Sequence, residues 1–137
     1  MPTIVKPEDL QALGFSAESF GAVVDFPGYL QAILDEQEAL LTFRISAATV
    51  ADSALNTLVA LAEKSLSASE LCQRRINRLM ENINQDTPAM IDKIRKQQDK
   101  YIETAENTIK RLLSTPLSQD SSGFSVGVVE SSSLGCS

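Results

Sequence analysis

The chain has 137 residues, of which 43% are apolar but only 5% aromatic, with no Trp. That composition allows one core of Leu, Ile, Ala and Val and excludes a sandwich built from aromatic and β-branched strands. A formal net charge of −6 excludes general affinity for nucleic acid, and the absence of His removes the commonest general base and zinc nitrogen ligand.

Met1–Val5 reads as a short extended start, either mobile or held by a neighbour. Pro7 at a first helical position, with Glu8 and Asp9 in the first turn, opens a short helix that Gly14 ends. Phe15 and Phe20 flank a small polar loop that pins both rings against the core, and Gly21–Asp25 forms a turn. Pro27 opens a second helix to about Phe43. Its inner face is Tyr29, Leu30, Ile33, Leu34, Leu40 and Leu41, and its outer face carries Asp35, Glu36 and Glu38. The β-branched, small-residue passage Thr42–Thr49 is assigned as a break.

Ser53–Asn84 contains neither Gly nor Pro and forms the longest helix, roughly 45 Å at 1.5 Å per residue. Leu55, Leu58, Ala62, Leu66, Ser69, Cys72, Ile76, Leu79 and Ile83 recur at steps of three or four, one buried stripe. Val59 and Met80 widen it. Asn84–Pro88 is a turn in which Thr87 caps and Pro88 starts a fourth helix, Pro88–Thr115. Met90, Ile91, Ile94, Gln98, Tyr101, Ile102, Ala105, Ile109, Leu112 and Leu113 supply its buried stripe. So short a connection makes the two long helices an antiparallel hairpin. The fold expected is therefore all-α: a small bundle of about four helices over residues 1–115, followed by an extended Ser/Gly-rich arm over residues 116–137.

Within that arm, Phe124-Ser125-Val126-Gly127-Val128-Val129 alternates as a strand does. A lone strand lacks backbone partners in water. Either the arm is disordered in the free protein, or Phe124, Val126, Val128 and Val129 add to a sheet edge on another subunit.

No phosphate loop, nucleophile elbow or paired-cysteine motif occurs, so no catalytic residue, metal ligand or cofactor is assigned. Asp35, Glu36 and Glu38 cannot all face one site on a helix, and read as a solvated face. Cys72 reads as a small core residue and Cys136 as a reduced tail thiol. There is no apolar run of membrane-spanning length and no signal peptide, so the chain reads as soluble and not secreted. The distinctive polar feature is Arg74, Arg75 and Arg78. They form surface pairs, Arg74 with Glu70 and Arg78 with Glu81 or Asn82, or they meet acids of a neighbouring subunit or DNA in a channel. Residues 1–70 carry ten acids and three bases, and residues 71–137 eight acids and nine bases. A head-to-tail oligomer could exploit that asymmetry, although a mixed solvated surface accounts for it equally.

The short helix, the apolar-acidic helix Tyr29–Phe43, the long helix and the extended tail together resemble the head–tail adaptor (connector) proteins of tailed bacteriophages. The likeness centres on Leu61-Ala62-Glu63-Lys64-Ser65-Leu66-Ser67-Ala68-Ser69-Glu70-Leu71-Cys72-Gln73-Arg74-Arg75-Ile76, a small-residue run into paired arginines. The long fourth helix departs from the shorter form of that group. The resemblance implies a non-enzymatic virion protein of the neck region, made in the host cytoplasm. It implies a homo-oligomeric ring, a dodecamer, seated under the portal protein, with the C-terminal arm reaching the portal. Such a ring extends the DNA channel without specific DNA binding and docks the next neck or tail protein. A different class, a cytoplasmic helical binding module such as an assembly chaperone or regulatory adaptor, fits the hairpin as well.

Overall fold

The computed structural model describes residues 5–81 and 83–115. These form five α-helices and two 3₁₀ turns: α1 (Pro7–Gln11), a 3₁₀ turn Ala17–Phe20, α2 (Phe26–Ile45), α3 (Ala47–Ala51), a 3₁₀ turn Ser53–Leu55, α4 (Asn56–Met80) and α5 (Thr87–Ser114). No strand occurs among the described residues, so the all-α bundle and its long hairpin are as expected. Phe124, Val126, Val128 and Val129, with the rest of the arm beyond Thr115, lie outside the described residues.

Local chemistry sets the helix ends. The Lys6 backbone N–H donates to the Asp9 carboxylate at 2.9 Å, closing the first turn of α1. Val5 is buried and joins Leu10 in the core, so at that position the start of the chain packs on its own subunit. Asp25 caps α2 by accepting the Gly28 N–H at 3.2 Å. α2 then runs past the expected end. Thr42 stays helical because its hydroxyl bonds back to the Glu38 carbonyl at 2.8 Å. The break is confined to Ser46, whose φ of 139° cannot continue a helix and whose Oγ accepts the Thr49 N–H at 3.1 Å to start α3.

At the hairpin turn the expected cap is corrected. Thr87 and Pro88 are both within the first turn of α5, and the Thr87 hydroxyl accepts the Asn84 N–H at 2.9 Å. It therefore ties the loop to the helix rather than capping it.

α4 is the central rod, and α2 and α5 both run antiparallel to it. The stripe read from the sequence faces α5 for most of its length, with Leu55, Ala62, Cys72 and Ile76 buried. A second buried row, Val59, Glu63, Ser67 and Leu71, steps by four beside it. Three clusters result. Val5, Leu10, Phe26, Leu30, Ile33, Leu34 and Leu71 join α1, α2 and α4 at one end. Leu41, Val50, Leu55, Val59, Ala62, Ile109 and Leu112 fill the other end. Cys72, Ile76 and Ile94 close the hairpin between them and its tip. Burial pushes the Cys72 thiol up to about 11, against the opposing charge of Arg75.

Several expected core residues face outward instead. Leu40 on α2 is 52% exposed, and on α5 Met90, Ile102 and Leu113 are exposed, as is Ile83 in the turn. α5 is covered on one side only, so apolar residues at the margin of its stripe reach solvent.

Candidate functional site: the arginine end of the hairpin

The last turns of α4 bring Arg74, Arg75 and Arg78 beside the 3₁₀ turn Ala17–Phe20 and the start of α5. The three differ in how far their charge is spent. Arg74 donates from Nε to Glu70 at 2.8 Å, lies 3.9 Å from Glu36, and holds its guanidinium 5.5 Å from the Tyr29 ring centroid. The hydrogen bond to Glu70, followed by that to Tyr29, raises its affinity for the proton further. Tyr29 belongs to an aromatic group with Phe15, Phe20 and Phe26, and the Phe20 and Tyr29 rings are 5.7 Å apart. Arg74 is thus a structural clamp between α4 and α2.

Arg75 and Arg78 take part in no ion pair among the described residues. The expected Arg78–Glu81 pair does not form, and Asn82 is outside the described residues. Arg78 lies against Gly21, where an added Cβ would stand 3.0 Å from its Nη1. Gly21 also has φ +86°, so glycine is required there for its backbone as well as for the space. The guanidinium is therefore laid on a bare backbone and held in place.

On one side of Arg78 lies a cleft of about 340 Å³, lined by Glu18, Ser19, Arg75, Leu79, Glu81 and Met90. On the other side is a shallower one of about 230 Å³, between Phe20, Tyr29, Arg74 and Asn77. A third depression, about 370 Å³, sits at the hairpin tip with Met80, Ile83, Pro88 and Ile91 on its walls. The sequence singled out the arginines but not Gly21, Glu18 or Met90. Only the three-dimensional return of the 3₁₀ turn onto α4 joins them, and no spacing signals it.

The acidic residues of α2 do not converge. Asp35 accepts a hydrogen bond from Gln31 at 2.9 Å, while Glu36 turns towards Arg74. No group of three or more His, Cys, Asp or Glu side chains able to hold a metal occurs among the described residues. The basic start of α5 is solvated, with Lys96 and Asp92 forming an exposed pair at 3.4 Å. No helix is long and apolar enough to cross a membrane among the described residues. Comparisons with protein-family models, curated proteins and solved structures find no match to this chain.

Proposed function

We propose that the chain is a head–tail adaptor of a bacteriophage neck. In this reading it is a structural virion protein without catalysis. It assembles as a dodecameric ring under the portal, extends the DNA channel, and docks the next neck or tail component. One observation carries it: a rigid hairpin presents two ordered arginines, Arg75 and Arg78, with no carboxylate paired to them among the described residues. Such charges suit an interface made with another chain. The net charge of −6 favours a channel wall along which DNA slides without sticking. The arm residues Phe124, Val126, Val128 and Val129 fit a strand added to the portal.

Co-assembly of the full-length protein with the portal of its source phage, followed by imaging, tests the reading. Rings on the portal that disappear when Gly123–Ser137 is deleted are expected. A monomer or dimer that ignores the portal defeats it. That second outcome favours the other class, a helical binding module, for which the apolar depression of Met80, Ile83, Pro88 and Ile91 offers a place for one client side chain.

A further inference from the structure

The unspent charges of the described residues include a pair of each sign, on different elements. Arg75 and Arg78 border the 340 Å³ cleft, whose apolar wall is Leu79 and Met90. Glu18 and Glu81 share that cleft, yet neither forms an ion pair with the arginines. On α2, Asp35 and Glu38 are three residues apart and so share a helix face. Neither forms an ion pair among the described residues. Burial, and then the charge of Asp35, push the Glu38 carboxyl above its usual range, which is the signature of an anion short of a cation.

We propose that the Arg75–Arg78 cleft receives the Asp35–Glu38 face of α2 from a second copy of this chain. Charge complementarity selects the occupant. Two carboxylates one helical turn apart meet two guanidinium groups, one of them already immobilised on Gly21, so little side-chain freedom is lost on pairing. The two patches are different surfaces, so the contact is heterologous, and each added copy leaves one cleft and one acidic face open until the series closes. The proposal deepens the adaptor reading and rests on it for the premise that copies assemble.

The test is a charge swap in the full-length protein, read as mass in solution by sedimentation at about 0.05 M and about 0.5 M salt. Wild type is expected to form oligomers that dissociate as salt rises. Arg75→Glu with Arg78→Glu makes both patches acidic, and Asp35→Lys with Glu38→Lys makes both basic, so each double variant alone associates at least about tenfold more weakly. An equimolar mixture of the two restores both kinds of contact and the wild-type mass. Circular dichroism checks the fold of each variant, and the milder pairs Arg75→Gln with Arg78→Gln and Asp35→Asn with Glu38→Gln replace any that unfold.

Monomeric wild type at every salt concentration overturns the proposal. So do oligomers indifferent to either reversal, or folded variants whose mixture stays dissociated. With the milder pairs, association unchanged from wild type overturns it. Portal-bound rings that ignore the reversals sink this contact and leave the adaptor standing. Reassembly of the mixture without portal binding does the reverse.

Discussion

Ser67 is completely buried in α4, and its hydroxyl has no hydrogen-bond partner among the described residues. A buried hydroxyl without a partner costs about 1–3 kcal/mol, and Ala is also the better helix former. Ser67→Ala is therefore expected to stabilise the fold by about 1 kcal/mol, seen as a higher urea midpoint at unchanged slope. A lower midpoint would show that the hydroxyl is satisfied or that its volume matters more than its polarity. The same residue explains why half of α4 was illegible. Val59, Glu63, Ser67 and Leu71 form a buried row as regular as the one that was read, but two of its four members are polar. A search for apolar periodicity finds the row facing α5 and passes over this one.

Among the elements, α2 and α5 meet through a bidentate pair. Arg44 donates to both Glu106 oxygens, at 2.9 and 2.8 Å, and the two side chains are 42% and 44% exposed. The hydrogen bonds from Arg44 hold the Glu106 carboxyl below its usual range. A carboxyl lowered on folding adds stability above its unfolded value, and that contribution is lost as the pH falls through the folded one. Half exposure keeps the gain small. Glu106→Gln is expected to cost about 0.5–1 kcal/mol near pH 7 and nothing below about pH 3, by denaturant titration at the two values. An equal cost at both would assign the effect to packing. The boundaries of α2 show what spacing can and cannot reveal. Pro27 and Asp25 marked its start to within a residue, since capping chemistry is local. Its end was set too early, because the back-bonding of Thr42 and the positive φ of Ser46 depend on the completed fold.

Across the whole molecule, the three apolar clusters draw only on residues from Val5 to Leu112. A chain ending at Thr115 is accordingly expected to keep its helical circular dichroism and to melt within about 2 °C of the full-length protein. Loss of cooperative melting would mean that residues 116–137 belong to the bundle. The class of fold and the hairpin were legible because long uninterrupted periodicity and a Pro-marked turn are strong local signals. The site was half legible. Three arginines within five positions stand out in any reading, whereas their different fates depend on Tyr29, Glu36 and Gly21, which lie 38 to 57 positions upstream.

The placement of Leu41 has a consequence for biosynthesis. Its cluster partners Ile109 and Leu112 are the last apolar residues of that cluster to leave the ribosome, about seventy positions later. At roughly 5–20 residues per second, the apolar side of α2 waits some seconds for its far wall. During that interval Leu41 is a nascent-chain liability, open to chaperones or to a sister chain on the same message.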